Sequence, residues 1–124
     1  MFKAAFDRGK RRLTLTYMGF WSVDDAKRVK DALGRELRAA AAGGSPFTVL
    51  DDLTEFGVQS AGVVEINNQF AAMYGDFPIS RNAMIIPAAL ARLQVRRTLH
   101  HLENCEVFPD FTSADAWLSE AEGK

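Results

Sequence analysis

Hydrophobic and polar positions alternate at the start of the chain and then change period. Residues 2–6, "FKAAF", and residues 13–18, "LTLTYM", alternate as strands do; Leu13, Leu15 and Tyr17 share one face and Thr14, Thr16 and Met18 the other. The glycine of the intervening "DRGK" suits a turn, so these two strands are expected to form a hairpin. From Ser22 the period becomes helical. Val23, Ala26, Val29, Leu33 and Leu37 recur on one side, with Lys27, Lys30, Asp31, Arg35 and Glu36 around them. Ser22 is an N-cap, Asp25 three residues on completes a box-like pair, Gly43 and Gly44 stop the helix, and Pro46 prevents a restart. Gly34 weakens the middle of this helix by about 1 kcal/mol against alanine.

"PFTVLDDL" reads as a buried strand. Residues 61–74 read as a second helix with Val63, Ile66, Phe70 and Met73 aligned and Gly75 at its end. "NAMIIP" is a third buried strand. Pro87 opens another helix, whose stripe is Ala88, Ala91, Val95, Leu99 and Leu102. "NCEVFPD" holds a short strand. Thr112 caps a last helix with Asp115 three residues on and Trp117 and Leu118 facing inward, and the final "EAEGK" is expected to fray. Strands alternating with helices after a hairpin define an α/β fold: a mostly parallel sheet of about five strands, an antiparallel N-terminal edge and four helices, in one domain over residues 1–124.

Composition narrows the function. A 48% hydrophobic and 25% charged content is that of an ordinary folded domain. A net charge of −1 gives no global field for nucleic acid or an anionic membrane. The single cysteine, Cys105, cannot form an internal disulfide, which fits a reducing, cytoplasmic compartment. "MFKAAFDRGKRR" does not read as a signal peptide, and no apolar run approaches the length of a membrane span.

Four groups of residues could carry chemistry. The first is the loop expected around Asp51, Asp52, Glu55 and Ser60, at the carboxyl end of a strand, where α/β sheets tend to bind ligands. Asp51 and Asp52 point to opposite faces and make a poor pair for one cation. Ser60 has two readings that share one geometry. Its hydroxyl caps the second helix, or it accepts a phosphoryl group where free amides and the helix dipole favour an anion. The second group is "RRTLHHLENCE". Its neighbouring His100 and His101 diverge around a helix, so with Cys105 they make a weak metal or hydrolase site, and a solvated helix end is the plainer reading. The third is basic: Arg92, Arg96, Arg97 and His100 on one helix and Lys10, Arg11 and Arg12 in the hairpin, read as solvated faces before nucleic-acid contacts. The fourth is aromatic: Phe20, Trp21, Phe56, Phe70, Tyr74 and Phe77, either core or the lining of an apolar pocket or dimer face. No glycine-rich phosphate loop or nucleophile elbow is present.

The chain resembles the STAS domains along nearly its whole length, and most closely their anti-sigma-factor-antagonist-like branch, also described as STAS/SEC14-like. The resemblance lies in "GFWSVDDAKRV" at the first helix, in "VFPDFTSADAWL" at the end, and above all in the middle. There Val49, Leu50 and Asp51 match the family's strand, and Ser60, Ala61, Gly62 and Val63 match the start of its switch helix. Ser60 falls on the family's phosphoserine position. Gln59, eight residues after Asp51, stands where the family has Asp, and Ala61 replaces a second hydroxyl residue. The resemblance implies a non-enzymatic module without cofactor or metal. It would bind a partner protein, a kinase or regulator, through the second helix and the loop before it: Asp51, Glu55, Phe56, Gln59, Ser60 and Gly62. The SEC14-like comparison implies instead a small apolar or lipid ligand beneath a movable helix, near Phe56, Phe70, Met73, Tyr74 and Phe77. A homodimer is a further expectation.

Overall fold

The computed structural model describes residues 1–99, 102 and 104–122. Strand β1 (Phe2–Asp7) and strand β2 (Arg12–Gly19) form the hairpin, followed by helix α1 (Val23–Ala41), strand β3 (Phe47–Phe56) and helix α2 (Ala61–Tyr74). Strand β4 (Ile79–Ile85), helix α3 (Ala89–Leu99), strand β5 (Cys105–Phe108) and helix α4 (Phe111–Ser119) complete the order. The fold is the α/β arrangement that the alternation of periods predicts.

The strands lie in the order β1-β2-β3-β4-β5, with β1 antiparallel to β2 and every later pair parallel. Each parallel crossover moves one strand in the same direction, and right-handed crossovers then place α1, α2 and α3 on one face. Only α4 is left for the other face. Burial agrees. Leu13, Leu15, Phe47 and Val49 pack against Leu33 and Leu37 of α1 and Val63 and Phe70 of α2. On the opposite side Leu50, Ala83 and Ile85 meet Ala114 and Leu118 of α4. α1 and α2 pack side by side. α3 contacts β5 and stands apart from α2, leaving a cleft over β3, β4 and β5.

Local chemistry explains the element ends. At α1 the Asp25 amide donates to Ser22 Oγ at 3.0 Å and the Ser22 amide donates to Asp25 Oδ2 at 2.9 Å, a reciprocal capping box. In the hairpin the left-handed residue is Arg11, with φ of 53°, and not the neighbouring glycine. Its guanidinium holds it there by donating to Ala40 O, Ser45 O and Pro46 O at the end of α1 and just beyond it.

Several expectations are corrected. β3 runs past the expected end at Leu53 to Phe56, so Glu55 lies in the strand and not in a loop. The cap of α4 is Asp110, whose Oδ1 accepts from the Ser113 amide at 2.9 Å; Thr112 lies inside the helix. Asp115 turns instead to Arg12, which is buried and not a solvated hairpin charge. Glu122, expected in a frayed tail, is also tied to Arg12. The stripe expected on α3 buries no residue fully, and Leu102 lies beyond the end of that helix.

Candidate functional site

Two surfaces of α2 concentrate the residues of interest: its N-terminus and the cleft along its outer side.

At the N-terminus, Ser60 has the extended backbone of a cap. Its Oγ accepts from the Val63 amide at 3.4 Å, and its side chain is exposed. Gln59 is a clamp. Its Oε1 accepts from the Trp21 amide at 2.9 Å, and its Nε2 donates to Gly19 O at 2.8 Å and Gly57 O at 2.6 Å. The β2–α1 and β3–α2 loops are thereby fastened together, with the Gly57 amide donating to Gly19 O at 3.1 Å. Phe20 lies over this junction so closely that a Cβ on Gly57 would come within 2.6 Å of its Cε1. Gly62 abuts Val23, where a Cβ would stand 3.0 Å from Cγ2. Around the cap the surface is apolar: Phe20 is 79% exposed and Val58 91%, with Val23 and Val64 also open. Glu55 is exposed at the end of β3. Phe56 turns inward, its ring 4.8 Å from Trp21 and 5.9 Å from Tyr17.

Among the residues expected to meet a partner, Asp51 is placed elsewhere. It is 3% exposed, and its side chain points to the floor of the cleft between α2 and α3. Asp51 Oδ1 accepts from the hydroxyls of Tyr17 and Tyr74, each at 2.8 Å, and Oδ2 accepts from Asn82 Nδ2 at 2.8 Å. Burial pushes the Asp51 carboxyl above its ordinary range, with the donors from Asn82, Tyr74 and Tyr17 acting against the rise. Burial likewise drives both tyrosines well above theirs, followed by the Asp51 charge. Asn82 Nδ2 also reaches Val49 O, and Asn82 Oδ1 accepts from Cys105 Sγ at 3.5 Å. Burial, then the Asp51 and Glu106 charges, pushes the Cys105 thiol up to about 12, so it sits as a neutral donor and not as a nucleophile.

The cleft holds about 600 Å³. Phe70 and Tyr74 of α2 form one wall, Val95 and Leu99 of α3 the other, and Leu53, Phe56 and Met84 lie between them. Of the apolar residues expected to meet a ligand, Phe56, Phe70 and Tyr74 line the cleft, whereas Met73 and Phe77 pack against the α1–α2 core. Met73 Cε lies 3.5 Å from where a Cβ of Gly34 would be, which places it between the helices. Sequence reasoning missed Tyr17 and Asn82 as members of one polar group with Asp51. The available signal was a polar residue inside each of two apolar runs, "VLDDL" and "NAMII".

His100 and His101 lie outside the described residues, and with them the metal or hydrolase site that would include Cys105. Among the described residues no group of three or more His, Cys, Asp or Glu could hold a metal ion. No helix among them is long and apolar enough to cross a membrane. Arg92 and Arg96 are engaged, Arg92 with Ile86 O and Pro87 O, Arg96 with Glu106 and Val107 O.

No family model matches the chain, and no curated protein sequence matches it. Solved structures do. An uncharacterized DUF3478-family protein with a SpoIIAA-like fold from Shewanella loihica PV-4 superposes with a TM-score of 0.70 at 20% identity, covering 94% of this chain and 93% of that one. An anti-sigma factor antagonist from Mycobacterium paratuberculosis superposes with a TM-score of 0.62 at 13% identity, covering 96% of this chain and 93% of that one. The fold is therefore STAS-like, of the SpoIIAA and anti-sigma-factor-antagonist type.

Proposed function

We propose that the protein is a non-catalytic regulatory interaction domain that docks a partner protein at the N-terminus of α2. The observation that carries this reading is the apolar surface around the Ser60 cap. Phe20 and Val58 stand almost fully in solvent on loops that Gln59 holds rigid. Large exposed side chains on a pinned surface mark interaction sites. Phosphorylation of Ser60 would switch the contact. A dianion fits the free amides at this helix start, and it would stand in the middle of an apolar contact area. Glu55, Ser60 and the exposed valines form this face. Gln59 and Gly62 support it from beneath, and Asp51 takes no direct part. The free thiol of Cys105 accords with a cytoplasmic setting.

Affinity capture from the source cells with Ser60→Asp, Ser60→Ala and Val58→Asp variants tests the face. A partner recovered by wild type and Ser60→Ala, but reduced about tenfold by either charged variant, is the expected result. Equal recovery by all four proteins would refute it, and intact-mass measurement on protein from cells reads the phosphate directly. Sedimentation of the same variants separates a second copy of the chain from a different partner.

The cleft favours a second reading, a sensor or carrier of a small, mostly apolar ligand between α2 and α3. Its volume lies within the usual range for a small-molecule site, and its walls are largely apolar. A bound molecule in native mass spectra of gently purified protein is the expected result.

A further inference from the structure

The α2–α3 cleft carries unfilled hydrogen-bond acceptors and, among the described residues of its lining, no lysine or arginine. A carboxylate offers about four acceptor positions, and Asp51 uses three of them, two on Oδ1 for the tyrosines and one on Oδ2 for Asn82. One acceptor position on Oδ2 meets no donor among the described residues, and Asp51 is part of the cleft lining. Asn67, also part of the lining, carries a second: its Oδ1 is buried and meets no donor among the described residues. An orphaned buried carbonyl costs free energy that a bound donor would recover. Against these acceptors, the described lining contains neither lysine nor arginine. A carboxylate or phosphate head would enter beside Asp51 with no cation in the described lining, where the donors are neutral groups such as the Asn68 and Gln94 amides, at a high desolvation cost. The walls supply the other half of the specification. Val95 and Leu99 of α3 remain only half-buried across from Phe70 and Tyr74, apolar surface that a hydrocarbon chain would cover.

Resting on the ligand-binding reading, we infer that the cleft takes a single-chain amphiphile whose head is a hydrogen-bond donor without negative charge. A hydroxyl, amide or ammonium group would donate to Asp51 Oδ2 and, once the partly buried Asn67 side chain turns its carbonyl into the cleft, to Asn67 Oδ1, and the chain would lie between Phe70 and Leu99.

Chain-matched octanol, octylamine and octanoate, titrated below micelle-forming concentrations at a pH where octanoate is ionised, separate the possibilities by calorimetry. Octanol and octylamine are expected to bind at least about tenfold more tightly than octanoate. Asn67→Leu, which leaves the chain-binding walls intact, should erase most of that preference for octanol while the chain still binds. Ala71→Trp, which fills the mouth from the exposed side of α2, should abolish binding of all three. Octanoate binding as tightly as octanol would overturn the head assignment while leaving the ligand reading in place. Failure of every compound, longer-chain alcohols included, would overturn the ligand reading and this inference with it.

Discussion

Arg12 sets the terms at the scale of single residues. It is 4% exposed, yet each of its three guanidinium nitrogens has a carboxylate partner. Nε and Nη2 donate to the two carboxylate oxygens of Glu122, each at 2.7 Å, and Nη1 donates to Asp115 Oδ1 at 2.6 Å. Thr48 Oγ1 donates to Glu122 Oε2 at 2.6 Å and fixes that carboxylate in turn. A bidentate pair of this kind contributes little net stability but is costly to break from one side. Glu122→Ala leaves the buried guanidinium with only Asp115 and should destabilise the fold by about 3 kcal/mol, read from denaturant midpoints. An Arg12→Met, Glu122→Leu double variant should recover most of the loss, because it removes both charges. A Glu122→Ala midpoint within about 0.5 kcal/mol of wild type would mean that the C-terminal turn is not held by this pair. The residues lie 110 positions apart, so neither the basic run nor the acidic tail announced its partner.

Elements were legible where their signals are local. The start of α1 could be read because both halves of its capping box lie within four residues of sequence. The start of α4 could not, because "DFTSAD" offers two capping registers and only packing chooses between them. Asp110 holds the cap, and the Ser113 backbone and side-chain hydrogen bonds draw its carboxyl below the usual range. Asp110→Ala should therefore lower the thermal midpoint by about 4 °C while Thr112→Ala changes it little; the reverse order would move the helix start by two residues. The extent of β3 was misread for a related reason. "TEF", after two acidic residues, is polar enough for a loop, and within the strand Asp51 is tolerated only because Tyr17, Tyr74 and Asn82 from three other elements supply donors. The apolar stripe of α3 was readable as a helix face, but not as one left unpacked. The cleft arises from the separation of α2 and α3, a spacing that no local pattern encodes. Ser60 was fully legible as a cap, and the apolar surface around it came into view only when two loops met at Gln59.

At the scale of the molecule, one sheet carries charge chemistry of opposite sign on its two faces. On the α4 face, burial alone would raise the Glu122 carboxyl, but the hydrogen bonds from Arg12 and Thr48 outweigh it and hold the group below its ordinary 4.5. On the α2 face, burial wins, and Asp51 sits above its ordinary 3.8 despite its three donors. The two groups therefore link folding to pH in opposite directions. Glu122 contributes stability that is present above pH 4.5 and lost as pH falls through its lower folded value; Asp25 and Asp110, each held down by hydrogen bonds at a helix cap, act in the same direction. Asp51 keeps its proton longer in the folded chain than in the unfolded one. Its contribution is complete below 3.8 and is lost as pH rises through its raised folded value. Wild-type thermal midpoints should accordingly climb as pH is lowered from neutral into the mildly acidic range, and then fall once the paired carboxylates protonate. Asp51→Asn removes the only one of these four groups whose shift is upward. Its midpoint should stay flat across the interval where wild type climbs and then fall in parallel with it at lower pH, whatever its absolute level. Calorimetric scans of both proteins in buffers of matched ionic strength check this. Superimposable slopes for wild type and Asp51→Asn from neutral pH down to about 4 would mean that Asp51 is ionised in the folded protein at no cost, and that the acceptor surplus at the floor of the cleft is fully balanced within the chain.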